Sequence, residues 1–280
     1  MHGTLGRIVE QTRRTVAQSA ARKPLAAVRA EASEATDTRG FVAAVTDPGR
    51  PFAVIAEIKR QSPSAGLIRP EYADVSFAPE SIARRYHAAG AAAISCLTDE
   101  PFFGGKLSYL GRVRAACPLP VLRKDFIVDP YQVYEARAAG ADAVLLIAEC
   151  LNDRMLVELH ALARSLTLDV LLEVHDTEQL RRAVGLMGPW PAGTLLGVNN
   201  RDLRTMSVDL GHCERAVTEF AKPELMVAES GIRAFSDLAR LRGHGIRIAL
   251  VGEHLMRDPD PGRALSTMLG EYGPQADPQA

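Results

Sequence analysis

The chain has 280 residues, of which 47% are hydrophobic and 24% charged, with a formal net charge of -1. This leaves enough apolar material for one large core and no global field to attract nucleic acid or an anionic membrane, so neither is expected as a partner and any anion must be recognised locally. Cys96, Cys117, Cys150 and Cys213 lie 21, 33 and 63 residues apart with no Cys-x-x-Cys, which argues against a zinc site or disulfide framework and predicts reduced thiols and a cytoplasmic location.

Residues 1–50 are predicted to form a helical extension packed on the remainder of the chain. Leu5, Ile8, Val9, Val16, Leu25 and Val28 recur at helical spacing among Arg and Glu, giving one or two amphipathic helices between residue 5 and about residue 32. Gly40 to Val45 reads as a short helix, and Asp47-Pro48-Gly49 as a turn. From Phe52 onward strand-like and helix-like segments alternate, the signature of successive βαβ units. Strands are predicted at 54–58, 92–97, 121–124, 143–147, 170–173, 195–198, 226–228 and 248–251. Helices are predicted at 79–89, 109–116, 130–139, 153–165, 177–187, 213–220, 235–242 and 261–269.

Eight buried parallel strands predict a (β/α)8 barrel, the TIM barrel, over residues 51–270. Gly90-Ala91 and Gly140-Ala141 each stop a helix and start a strand, a repeated device that suits it. No Gly-x-Gly-x-x-Gly follows the first strand, which argues against an open dinucleotide-binding sheet. Residues 271–280, with Pro274 and Pro278, are predicted to be a mobile tail.

Several of these apolar runs end in charge or amide: Glu57-Ile58-Lys59, Lys124-Asp125, Glu173, Asn199-Asn200-Arg201 and Glu229-Ser230. In a closed barrel such ends converge on one pocket. The chain holds 28 Arg but only five Lys, and two of the five stand at strand ends; Lys can give up its proton where Arg effectively cannot. Glu57 and Lys59 are two apart on a strand and face the same side. With Lys124 and Glu173 they make two ammonium groups and two carboxylates that would shift one another's pKa values, as a general acid and base require.

Gln61 to Gly66, with Ser62, Pro63 and Ser64, reads as a loop or lid over that pocket. Ser230-Gly231 after the seventh strand and Gly252 after the eighth expose backbone N–H groups where such barrels bind phosphate, so a phosphorylated ligand is expected. Arg201 offers a fork for a carboxylate. His175, two residues beyond Glu173, could face the pocket, and no histidine pair has metal-binding spacing.

These residues carry a resemblance to the indole-3-glycerol-phosphate synthases. The matching segments are Glu57-Ile-Lys59-Arg-Gln-Ser62-Pro63-Ser64, Lys124-Asp-Phe126-Ile-Val, Leu-Leu-Glu173-Val-His175, Gly197-Val-Asn199-Asn200-Arg201-Asp202-Leu203, Glu229-Ser230-Gly231-Ile232 and Gly252-Glu253. They span nearly the whole barrel in order. The resemblance implies ring closure of 1-(2-carboxyphenylamino)-1-deoxyribulose 5-phosphate, with loss of carbon dioxide and water, on the tryptophan pathway, and an N-terminal extension that partly covers the mouth. It implies Lys124 as general acid with Lys59 as second candidate, and Lys59 and Arg201 at the substrate carboxylate. Glu57 and Glu173 would stabilise charge on the anilino nitrogen and handle the dehydration proton, and Asn199 would position hydroxyls. Ser62, Ser230, Gly231 and Gly252 would hold phosphate, Phe126, Leu145 and Pro63 would form the apolar wall, and Glu229 and Glu253 would join the substrate-binding set. No metal or organic cofactor is implied. One departure is His254, where the pattern has Ser.

Two alternatives remain at this stage. A phosphoribosylanthranilate isomerase-like barrel would need a Cys and Asp pair where the first strand carries Glu57 and Lys59. A non-catalytic phosphometabolite-binding barrel would keep the glycines and lose the charged ends. The sequence is compatible with a monomer without fixing the oligomeric state, and weak association with other enzymes of the tryptophan pathway is left open.

Overall fold

The computed structural model describes residues 3–73, 77–201 and 207–270. The predicted tail at 271–280 and the Asp202-Leu203 portion of the sixth-strand motif lie outside the described residues.

Eight strands close into a barrel: β1 (Ala53–Ile58), β2 (Ala93–Leu97), β3 (Val121–Lys124), β4 (Ala143–Ile147), β5 (Asp169–Val174), β6 (Thr194–Asn199), β7 (Met226–Glu229) and β8 (Ile248–Val251). Each pairs in parallel with the next, and β8 returns to β1. Every residue of β1, β2, β4, β5, β7 and β8 is buried, because the interior packs one side and the outer helices the other; this double burial is why the strands read as continuous apolar runs. On β5 the period of two sets Asp169, Leu171 and Glu173 on one side of the strand. All eight predicted strands are present to within a residue at either end.

The helices are α1 (Thr4–Arg22), α2 (Leu25–Glu34), α3 (Phe41–Val45), α4 (Pro79–Ala88), α5 (Glu100–Phe103), α6 (Tyr109–Ala116), α7 (Pro130–Ala138), α8 (Asp153–Ser165), α9 (Thr177–Met187), α10 (Gly211–Ala216), α11 (Phe235–Gly243), α12 (Glu253–Arg257) and α13 (Pro261–Leu269). Pro24 divides the N-terminal periodic segment into two helices, since Lys23 before it is forced to extended backbone. Gly90 and Gly140 both take positive φ, 92° and 86°, as the repeated helix stop requires. Three helices depart from the periodic pattern, α12 as a short helix after β8 outside the predicted set. α10 begins at Gly211 rather than Cys213, because the Asp209 carboxylate accepts from the Gly211 N–H at 2.9 Å, and beyond Ala216 the chain tightens into three-residue turns. α5 is set by Asp99, which accepts from the N–H groups of Phe102 and Phe103.

The N-terminal segment is tied to the barrel at several points. Tyr131 donates to the Lys23 carbonyl at 3.1 Å, and Arg137 to the carbonyls of Thr36 and Ala35. At the floor, where the strands begin, α3 buries Phe41 and Val45. There Asp142 accepts from the N–H groups of Arg39 and Val121 and from the Arg114 guanidinium, while Asp169 accepts from the Val42 N–H and from Arg164. No helix among the described residues is long and apolar enough to cross a membrane.

Candidate active site

At the opposite end, where the strands finish, a cavity of about 590 Å³ opens. Fifteen residues were singled out for this site from sequence: Glu57, Lys59, Ser62, Pro63, Lys124, Phe126, Leu145, Glu173, Asn199, Arg201, Glu229, Ser230, Gly231, Gly252 and Glu253. All of them line the cavity.

Among them, Lys124 joins two of the acids. The ammonium donates to Glu173 Oε2 at 2.6 Å and to Glu229 Oε2 at 3.0 Å. Burial alone would pull this ammonium down, but the carboxylates of Glu173, Glu229 and Glu57 outweigh it and hold the group above the ordinary lysine range. Glu173 is buried too, which would raise it, yet Lys124 and His175 keep its carboxyl well below the usual range. Glu229 goes the other way: burial and the Glu173 charge push it up to about 8 against the single favourable contact with Lys124. Its second oxygen, Oε1, is buried without a hydrogen-bond partner among the described residues. The three groups therefore favour one negative charge, one positive charge and one neutral carboxyl at neutral pH.

A chain of hydrogen bonds extends this cluster toward β6 and β7. Asn199 Nδ2 donates to Glu173 Oε1 at 3.0 Å, and Asn199 Oδ1 accepts from Ser230 Oγ at 2.8 Å and from the Arg201 N–H at 3.0 Å. On β1 the Lys59 ammonium sits 2.7 Å from Glu57 Oε1. Two glycines make room for the acids. A Cβ on Gly252 would lie 2.3 Å from Glu57 Oε1, and one on Gly197 would lie 2.3 Å from Glu229 Oε1. Both carboxylates occupy space that any other residue would fill.

The walls differ in chemistry. Leu5 and Ile8 of α1, with Pro63, Phe103, Phe126, Leu145 and Ile147, make an apolar side suited to a flat ring. The Phe103 and Phe126 centroids are 6.0 Å apart. Across from them Ser230 and Gly231, with φ of 66° and 84°, turn the chain sharply after β7, while Gly252 precedes α12. Ser62 sits in a short antiparallel hairpin, Gln61–Ser62 against Gly66–Leu67, so the segment read as a loop carries a little regular structure. Arg201 Nη2 is 3.8 Å from Glu253 Oε2. His254, the departure from the expected pattern, also lines the cavity.

Sequence reasoning missed the clamp that holds the end of β3. Arg123, pointing away from Lys124, donates to Asp125 Oδ2 at 2.9 Å and to the Gln132 carbonyl at 2.9 Å, and pairs with Glu135 at 2.8 Å. Gln132 closes the following loop, accepting from the Val128 N–H and donating to the Phe126 carbonyl. An Arg inside an otherwise apolar strand was the available signal. Leu5, Ile8 and Phe103 were missed as lining residues because amphipathic spacing reports burial without saying against what.

A family model for indole-3-glycerol phosphate synthase matches residues 5–268. The chain belongs to this family. The indole-3-glycerol phosphate synthase of Rhodospirillum rubrum is 48% identical over 273 residues, covering 96% of this chain and 100% of the relative. That of Albidiferax ferrireducens is 48% identical over 272 residues, covering 96% and 99%. Among solved structures, a 3-hexulose-6-phosphate synthase superposes with a TM-score of 0.57 at 15% identity, over 77% of this chain and 97% of that one. A thiamine phosphate pyrophosphorylase from Pyrococcus furiosus gives 0.54 at 17% identity, over 78% and 94%. At such identities these two speak for the barrel alone. Membership of the indole-3-glycerol phosphate synthase family, in tryptophan biosynthesis, sets aside the isomerase and the non-catalytic barrel.

Proposed function

We propose that this cavity closes the indole ring of 1-(2-carboxyphenylamino)-1-deoxyribulose 5-phosphate as a carboxy-lyase, with Lys124 as the general acid. The observation that carries the reading is the Lys124 ammonium held between Glu173 and Glu229 at a junction of apolar and phosphate-suited walls. Attack of the aryl carbon on the ketone turns the carbonyl oxygen into an alkoxide, which is far more basic than any ammonium. A donor held firmly in its charged form therefore loses its proton only as that oxygen acquires charge, so its stabilisation is concentrated in the transition state. Lys59 and Arg201 face the carboxylate that leaves as carbon dioxide. Expulsion of water needs an acid for the departing hydroxyl and a base for the proton lost from the ring; the Lys59 ammonium supplies the first proton, and Glu173, already a carboxylate, accepts the second while Asn199 orients the hydroxyls. Glu57 sits where positive charge develops on the anilino nitrogen.

Ser62, Ser230, Gly231 and Gly252, with Glu253 beside them, take the phosphate end. Pro63, Phe126 and Leu145 take the aromatic ring. Glu229, with its raised pKa, is the neutral partner that keeps two adjacent carboxylates from repelling each other across Lys124. The test is to supply the carboxyphenylamino-deoxyribulose phosphate to purified protein and follow indole fluorescence. Appearance of the indole chromophore supports the assignment, and absence of product overturns it.

A further inference from the structure

The reaction above leaves one buried titratable group at the site without a task. His175 follows Glu173 by two on the same side of the chain, and its imidazole is only 6% exposed. Nε2 lies 3.1 Å from Glu173 Oε1, and Nδ1 lies 2.5 Å from Glu149 Oε2, just past the end of β4. Both contacts bend away from the line of the ring N–H, so they are ion pairs rather than aligned hydrogen bonds. With a carboxylate facing each nitrogen, the ring has counter-charge for a proton on both.

Glu173 thus has a cation on each oxygen, Lys124 on Oε2 and His175 on Oε1. This matters because a lone buried ammonium–carboxylate pair can collapse to neutral amine and neutral acid when burial penalises both charges. Collapse here would remove the proposed acid and the proposed base together. A second cation behind Glu173 opposes it. We propose that His175, charged and backed by Glu149, is a positioning residue that keeps Glu173 a carboxylate and Lys124 an ammonium in the resting enzyme. This rests on the catalytic reading of Glu173.

The surroundings bear on the charge of the ring. Cys150 and Glu149 come from the end of β4, and Arg13 of α1 acts on Cys150. Asp176 lies next in the chain, and His212 of α10 is held down first by its own burial, with His175 among the positive groups that add to it. Burial pulls His175 down, but Glu149 and Glu173 outweigh it and raise the group to about 10. Glu149 is the more exposed of its two partners, at 21% against 4% for Glu173. Glu149 can therefore be changed without emptying the cavity.

Three measurements test this. In the resting protein, nitrogen NMR of labelled histidine is expected to show His175 doubly protonated at pH 7 in the parent. Glu149→Gln should lower its titration by one unit or more, on the order expected for loss of an adjacent opposite charge. A neutral imidazole at pH 7 in the parent would overturn the proposal whatever the catalytic role of Glu173. In turnover, His175→Gln is expected to lower kcat about tenfold with KM unchanged, and to move the acidic limb of the kcat profile upward by about a unit. The sign follows because Glu173, robbed of a cation, takes up a proton at higher pH. A slower His175→Gln enzyme with an unmoved limb would overturn the proposal, and a fall in Tm beside it would make His175 merely structural. The remaining control separates the two readings: a fully active Glu173→Gln enzyme sinks the role of Glu173 while the histidine titration still stands.

Discussion

At the floor of the barrel Asp142 accepts from two backbone N–H groups and a guanidinium, whereas at the mouth Glu173 and Glu229 share one ammonium, and Glu229 Oε1 has no donor among the described residues. Both regions bury carboxylates, and the difference lies in how many donors meet them. Main-chain donors cannot leave, so the floor acids are fixed acceptors that tie α3 and its approach to the strand starts. The donors at the mouth are side chains, the Asn199 amide on Glu173 and a Lys124 ammonium that can give up its proton. A shortage of fixed donors is what leaves charge available for chemistry there.

The largest effect should come from removing the donor the mouth acids share. Lys124→Ala is expected to lower kcat at least ~100-fold with the fold intact by circular dichroism; near-normal turnover would transfer the acid role to Lys59 and blur the contrast.

Asp142→Asn probes the other end. Oδ1 accepts from Arg39 and Arg114 while Oδ2 accepts from Val121, so whichever way the amide turns, its NH2 meets a donor. A loss of about 2 kcal/mol in unfolding free energy is expected, read by urea titration, with kcat per folded molecule unchanged. A matching loss of kcat would show that floor and mouth are not separable.

Gly252→Ala should cost about tenfold in kcat by pushing Glu57 off its seat, with a much smaller change in Tm than Asp142→Asn. If kcat holds, Glu57 has other room and the close fit is incidental.

The smallest effect is in the pH dependence of stability. Glu229 is raised from 4.5 to about 8, so the folded chain binds a proton that the unfolded chain has released, and stability falls as pH rises through that window. His175 is raised from 6.5 to about 10 and adds a decline of the same sign above about 6.5. Urea titrations between pH 5 and 6.5 should show a downward slope that Glu229→Gln removes, while His175→Gln should flatten the decline above pH 8. A slope unchanged in Glu229→Gln would mean that its buried carboxyl is not the proton carrier.

Much of this was legible in the sequence because burial on both sides of a strand leaves apolar runs in which a terminal charge is conspicuous. Glu57, Lys124, Glu173 and Glu229 stand out for that reason, and they meet in one cavity. The floor acids did not stand out. Asp142 follows Gly140-Ala141 and looks like part of a turn, and its donors come from residues 21, 28 and 103 positions away. Glu149 was equally silent, since nothing local says that a side chain after β4 will reach one after β5. Pairings of that kind belong to the closed barrel and to no segment of it.

The run Asp169, Leu171, Glu173 along one side of β5 binds the two ends to each other. Four residues of strand span roughly 13 Å, so one extended segment carries an anchor for α3 at its start and the partner of Lys124 at its end. A slip of β5 by a single residue would turn every side chain to the opposite side. It would release the Val42 N–H and abandon the Lys124 ammonium at once. A misregistered barrel is therefore unanchored as well as inert, and quality control that removes loosely folded chains also removes the inactive ones.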